Sequence, residues 1–211
     1  MELRVTIRTK EQTANFLTHL GGLAGSVVFS IWLLFFVAIQ AGAVMTVSAL
    51  IFCASMITLY SASSLYHAAK NEDLKKKLKI FDHCAIFTLI AGSYTPFLLV
   101  GLKGAWGWSL FGVIWGLAIA GILYKLLFAG KSKLVSTLLY IGMGWLVIIA
   151  AKPMSRSLLP STIIWLAVGG IAYTLGTVFY LNKKIPYTHA IWHMFVMLGT
   201  AAHGVAVTTL A

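Results

Sequence analysis

The sequence has little charge. Only 10% of its 211 residues are Asp, Glu, Lys or Arg, and the acidic share is five residues against sixteen Lys and Arg. A chain that is 60% hydrophobic, with a mean hydropathy of +0.91, cannot hide its apolar surface inside a soluble fold of this length. A soluble domain is therefore excluded, and an integral membrane protein is expected. Cysteine is also scarce. Cys53 and Cys84 are the two present, both inside apolar runs, which excludes a disulfide framework. Cys84 stands two residues from Asp82 and reads as a ligand or as a small buried hydrophobe. Carboxylates are almost missing from the apolar runs, and Asp82 is the single one inside an expected span.

What is present is a basic excess, a net charge of +11. The basic residues are confined to short breaks between apolar runs, so anionic lipid headgroups explain them and nucleic acid does not. An apolar helical span takes about 20 residues. Seven fit, at 17–39, 44–67, 81–101, 106–128, 134–151, 160–181 and 187–209. The expected architecture is all-α: one domain over 1–211, a bundle of seven transmembrane helices. The first 18 residues are polar. The run after them is too long for a signal-peptide core, and although Ala41-Gly42-Ala43 looks like a cleavage site, another span follows at once. Glycines such as Gly21, Gly22, Gly25, Gly112, Gly116, Gly142, Gly144, Gly169 and Gly170 read as points of close helix approach. Trp106 and Trp108 read as interfacial anchors.

The basic residues fall on alternate breaks. One side takes Arg4, Arg8 and Lys10; Lys70, Lys75, Lys76, Lys77 and Lys79; Lys125, Lys131 and Lys133; and Lys183 and Lys184. The other takes Lys103, Lys152 and Arg156. Thirteen against three predicts a cytoplasmic N-terminus and an outside C-terminus, and favours an odd number of spans.

On that topology four ionisable residues share one depth. His67 ends the second span, three residues before Lys70. Asp82 opens the third, three residues after Lys79. His189 and His193 open the seventh, just after Pro186, a proline suited to a first helical turn. Ionisable groups at the edge of a hydrocarbon layer are costly, which suggests a metal site or a proton-handling site. An i, i+4 pair puts His189 and His193 on one helix face, about 6 Å apart along the axis. Such a pair can grip one cation. A third ligand from another helix leaves a fourth position open, as in catalytic zinc sites, and His67 is the best third ligand by depth. Asp82 could orient water or support a histidine. Ser63, one turn deeper than His67, could contact the same water or a substrate. The competing reading is a set of interfacial histidines bonded to carbonyls.

The other histidines divide. His203 stands roughly 25 Å along the helix from Pro186, too far to share the site. His83, rotated about 100° from Asp82, reads as packed or carbonyl-bonded. His19 reads as a ligand or as support behind one. Glu11, Asn15 and His19 share a face and line a cytoplasmic mouth, or belong to a solvated helix start.

Glu11, Asn15, Thr18 and His19 resemble the amino-terminal motif of the hemolysin III family. So do Ser63-Ser64-Leu65-Tyr66-His67, the stretch Asp82-His83-Cys84-Ala85-Ile86 continuing through Ala91-Gly92-Ser93-Tyr94-Thr95-Pro96-Phe97, and His189-Ala190-Ile191-Trp192-His193. The resemblance covers nearly the whole chain and is that of a bacterial member. The family is related to the progestin and adipoQ receptors, including the adiponectin receptors, and the wider group includes alkaline ceramidases. The resemblance implies seven helices with the amino terminus inside and a zinc ion near the inner leaflet of the bacterial cytoplasmic (inner) membrane. Its zinc-binding histidines map onto His67, His189 and His193, its aspartate onto Asp82 and its motif serine onto Ser63.

The expected function is that of a zinc-binding membrane protein acting in membrane lipid and energy homeostasis, with lipid amide or ester hydrolysis as the chemistry open to it. In that chemistry Asp82 and Ser63 are the catalytic candidates. The alternatives are a regulator in which zinc is a structural staple, a pore-forming hemolysin, and an ion- or proton-conducting protein. The expected partners are membrane lipids. Assembly into a homo-oligomer is left open.

Overall fold

In lipid every backbone amide needs an internal partner, and a helix supplies one within a single segment. The structure, a computed structural model, describes residues 2–128, 132–182 and 184–210, without the side chains of residues 2–9 and of Phe36. Lys131 and Lys183, two of the counted basic residues, and Gly130 lie outside the described residues, as do the side chains of Arg4 and Arg8. Among the described residues there is no strand. The helices are α1 (Glu2–Leu33), α2 (Ala43–Ala68), α3 (Glu72–Pro96), α4 (Gly104–Phe128), α5 (Lys133–Gly144), α6 (Ala151–Ser157), α7 (Pro160–Leu181) and α8 (Thr188–Thr208). Short π-helical stretches follow α1 (Leu34–Ala38) and α3 (Phe97–Leu102), and a 3-10 stretch (Leu146–Ala150) joins α5 to α6.

Seven of these segments are long and apolar enough to cross a membrane, with α5 and α6 together forming the fifth, Lys133–Ser157. The protein is a seven-span, multi-pass membrane bundle. Three local expectations change. The charged stretch after Lys70 is helical rather than a loop, because Asn71 caps α3 by accepting from the Asp73 and Leu74 N–H groups, with Glu72 and Asp73 in the first turn. The break expected from Lys152 to Ser157 is α6, and the turn shrinks to Leu158 and Leu159, before Pro160 at the start of α7. Pro186 lies in the turn ahead of α8, which begins at Thr188 behind Tyr187 in a left-handed conformation (φ 61°).

The fifth span is broken near its middle, and the break is satisfied from α3. The Tyr94 hydroxyl donates to the carbonyls of Met143 (3.0 Å) and Gly144 (2.7 Å) and accepts from the Val147 N–H (2.9 Å). Irregular backbone at membrane depth survives where it is buried or lines a cavity. Gly144 through Ile148 do line one.

Two apolar cores flank that cavity. Phe52, Met56, Leu59, Trp192 and Val196 anchor one, drawing on α2 and α8. Phe87, Leu98, Ile114, Met143 and Met154 anchor the other, drawing on α3 to α6. Val28, Trp108 and Leu127 remain on the outside, as a lipid-facing belt requires. The close helix approaches lie at Gly22 against Tyr60, Gly92 against Ser55, Gly121 against Phe87 and Gly169 against His203. Gly21, Gly25, Gly112, Gly116, Gly142 and Gly144 face open space, so their packing role in the sequence reading is corrected.

Candidate metal centre

The last turn of α2 and the first two turns of α8 meet beside α1. This brings together His67, His189 and His193, with one ligand atom from each within 4.8 Å of the others. The ring centroids are 5.1 Å (His67 and His189), 5.2 Å (His67 and His193) and 4.6 Å (His189 and His193) apart. The start of α8 is pinned on two sides. The Tyr187 N–H donates to Glu11 Oε1 at 2.8 Å, and the Thr188 hydroxyl donates to the Asn182 carbonyl at 2.9 Å.

Helix α1 sets the tautomers. Gln12 Oε1 lies 2.9 Å from His67 Nδ1. An amide oxygen only accepts, so Nδ1 carries the proton and Nε2 keeps its lone pair. His67 Nε2 is buried and has no hydrogen-bond partner. His193 Nδ1 lies 3.1 Å from the Asn15 carbonyl and 3.0 Å from Thr18 Oγ1, whose own proton goes to the Ala14 carbonyl at 2.9 Å. Both neighbours accept, so the His193 proton is also on Nδ1. A buried lone pair with no donor near it costs energy, and a cation removes that cost. The three histidines fit a metal ion, and three neutral imidazoles suit zinc, copper, iron or nickel alike.

Asp82 is buried (7% exposed) at the end of the cavity that His189 and His193 also line. Ser63 is fully buried. Its hydroxyl faces the Asp82 carboxyl group without closing a hydrogen bond and has no other partner. The cavity has a volume of about 440 Å³ and continues through Ile86, Leu89, Phe97 and Leu166 to Met154 and Ser155, so its walls are mostly apolar. Cys84 is buried and is not part of the histidine group.

Three more residues are placed around the histidine group. Asn15 is buried (4% exposed), which overturns the solvated helix start; its carbonyl holds His193. His83 lines the cavity, and its Nε2 stands 3.3 Å from the Tyr180 hydroxyl rather than from a carbonyl. His203 stays outside the three-histidine group, as its distance along α8 requires, yet it lines the same cavity and donates to the Leu166 carbonyl at 3.3 Å. His19 stacks on His193 with centroids 3.5 Å apart, and both its nitrogens are buried without partners. Between these levels Thr200 Oγ1 donates to the Val196 carbonyl and accepts from the hydroxyls of Tyr60 and Tyr173, each at 2.9 Å. Gln12 was missed in the sequence. It shares a helix face with Asn15 and His19 at i, i+3 and i+7, so the spacing carried the signal.

The family model described as "Haemolysin-III related" matches residues 7–204. The chain belongs to this family. It is similar to the "Hemolysin-3 homolog" of Bacillus subtilis (strain 168), 47% identical over 193 residues, which covers 92% of this chain and 91% of the relative. It is also similar to the "Hemolysin-3" of Bacillus cereus, 42% identical over 198 residues, covering 94% and 90%. The human "Monocyte to macrophage differentiation factor" is a more distant relative, 29% identical over 169 residues, covering 76% of this chain and 69% of that protein. All four motifs of the hemolysin III resemblance, from Glu11 to His193, fall inside the matched residues.

Proposed function

We propose that this haemolysin-III-related protein binds zinc through His67, His189 and His193 and hydrolyses an amide or ester bond of a membrane lipid, as its part in membrane lipid homeostasis. The observation that carries the proposal is the continuity of the three-histidine group with a mostly apolar cavity of about 440 Å³ whose polar end holds Asp82 and Ser63. Zinc in such a site supplies Lewis acidity, polarising a carbonyl and making water nucleophilic near neutral pH. The residues supply the rest. The cavity takes the hydrocarbon chain and excludes water from it. Asp82 accepts the proton of the attacking water and returns it to the leaving group. Ser63 donates to the carbonyl oxygen or to the Asp82 carboxylate and holds either in register.

The site lies, on this reading, at the cytoplasmic leaflet of the inner membrane. In support, the charge pattern of the sequence assigns thirteen of the sixteen basic residues to the side on which His67, Asp82, His189 and His193 fall. The relatives' names raise a second reading, a lytic or pore-forming protein. The mostly apolar walls of the cavity disfavour an aqueous pore.

Metal analysis of the purified protein beside His189→Ala, with ceramide and acyl-ester phospholipids as substrates, tests the proposal. Stoichiometric zinc in the wild type, its loss in His189→Ala, and lipid cleavage that Asp82→Asn abolishes without zinc loss are expected. Stoichiometric zinc with every acyl lipid left intact would overturn the hydrolase and leave a zinc-stapled regulator. Dye leakage from liposomes would favour the pore.

A further inference from the structure

The cavity runs well past the three-histidine group. His203 lines it ten residues beyond His193 on α8, about 15 Å along the axis at the helical rise. Ser93 lines it eleven residues beyond Asp82 on α3, roughly 16 Å by the same measure. The wall is mostly apolar here, and its polar side chains spend their protons inside the protein. The Ser93 hydroxyl donates to the Ile90 carbonyl (2.9 Å), Thr174 to Gly170 (2.7 Å) and Thr177 to Thr174 (2.7 Å). The Tyr173 hydroxyl donates to Thr200 Oγ1 (2.9 Å), and the Trp145 indole N–H to Thr174 Oγ1 (3.0 Å). What these hydroxyls have left are lone pairs, so this stretch of cavity offers acceptors rather than donors.

His203 is the sharpest case. Its Cδ2 and Nε2 lie against Gly169, where a Cβ would have no room, and Nε2 donates to the Leu166 carbonyl at 3.3 Å. The proton is therefore on Nε2, and Nδ1 carries a lone pair. Nδ1 sits on the ring edge turned away from Gly169, is buried, and has no hydrogen-bond partner. Tyr173 meets the ring edge-on, with centroids 5.4 Å apart, and helps to hold it in place. Packing alone does not call for a histidine at this position. An apolar ring would fill the notch at Gly169 without leaving a buried acceptor unpaired, which costs free energy. A hydrogen-bond donor brought into the apolar cavity removes that cost.

We propose that the cavity selects a hydrocarbon chain bearing a hydroxyl group about 15 Å from the three-histidine end, where the hydroxyl donates to His203 Nδ1. An extended chain advances about 1.2 Å per bond, which puts that hydroxyl about 12 carbons from the head of the lipid. An unsubstituted chain suits the apolar wall but leaves Nδ1 unpaired. A keto group at the same carbon sets an acceptor against an acceptor and is rejected on that ground. The inference rests on the reading of the cavity as the seat of a lipid chain. It needs neither zinc nor hydrolysis.

Competition binding to the intact, detergent-purified chain tests the proposal, with stearate, 12-hydroxystearate and 12-oxostearate each displacing a fluorescent fatty acid. 12-Hydroxystearate should bind about tenfold more tightly than stearate, the worth of pairing one buried acceptor. 12-Oxostearate should bind no better than stearate. His203→Phe, which keeps a ring in the notch, should bind stearate and 12-hydroxystearate equally. Equal binding of those two acids by the wild type would overturn the inference, with water alone as the partner of Nδ1, and would leave the lipid-chain reading standing. An unchanged preference in His203→Phe would overturn it as well. Should His203→Phe fail to fold, the wild type decides with 12-oxostearate, and binding as tight as that of 12-hydroxystearate would overturn the requirement for a donor. Displacement by none of the three acids would overturn the lipid-chain reading and the inference with it. His67→Ala should keep the preference for 12-hydroxystearate, which separates this outcome from that of the zinc reading.

Discussion

Gln12 Oε1 holds His67 Nδ1 at 2.9 Å across 55 residues of sequence. That bond decides which nitrogen of His67 faces His189 and His193. Replacing Gln12 with Ala removes the acceptor and frees the ring to rotate or change tautomer. Metal affinity should fall about 10- to 100-fold while the helical fold remains, as for other groups that orient a metal-binding histidine. Competition with a zinc chelator of known affinity measures it, and unchanged affinity would show that Gln12 does not orient the ring.

Bound metal should stabilise the folded bundle. At a free concentration 1,000 times the dissociation constant, the gain is about 4 kcal/mol. A chelator should therefore lower the thermal midpoint of the wild type and leave His193→Ala where it was. Midpoints followed by tryptophan fluorescence in detergent check this, and an equal drop in both proteins would point to a non-specific chelator effect.

Where α2 and α3 cross at residue 92 there is no room for a side chain. A Cβ at Gly92 would meet the Ser55 side chain at 2.6 Å from its Cβ. Gly92→Ala should cost about 1–3 kcal/mol through overpacking. Gly112, with open space around it, gives the contrast: Gly112→Ala should be neutral or stabilising by up to about 1 kcal/mol. Thermal midpoints of the two variants side by side decide the matter, and equal effects would contradict the packing described.

Tyr94 serves three backbone groups at the break in the fifth span. Tyr94→Phe keeps the ring and removes the hydroxyl. The Val147 N–H and the two carbonyls then lose a partner inside the membrane, which should cost about 1–3 kcal/mol. Hydrogen exchange at Val147, faster in the variant, would locate the loss. Unchanged exchange and stability would mean that water replaces the hydroxyl.

The seven spans were legible because twenty-residue apolar runs carry few alternatives in a membrane. The meeting of His67 with His189 and His193 was legible because spacing and charge topology give depth. Azimuth is not legible in the sequence, and two of the differences follow from that. Small residues are visible in the sequence but the face they occupy is not: of the glycines read as packing points Gly22 and Gly169 are in close contact, and Gly92, Gly121 and Gly176 join them. His83 and His203 were set aside on rotation and depth, yet a cavity that runs along the bundle reaches both. The helical start of α3 was hidden because five lysines between Lys70 and Lys79 read as a loop until Asn71 is seen to cap them.

One order of events follows from where the site's parts lie. His193 is held by the carbonyl of Asn15, 178 residues before it. Synthesis delivers α1 to the membrane long before α8. Until α8 inserts, Gln12 and Asn15 have at most one of their imidazoles to hold, and a metal ion would find a single histidine. A chain stalled or truncated ahead of Thr188 therefore holds no three-histidine group, and any ion held by all three imidazoles would have to enter after α8 is in place.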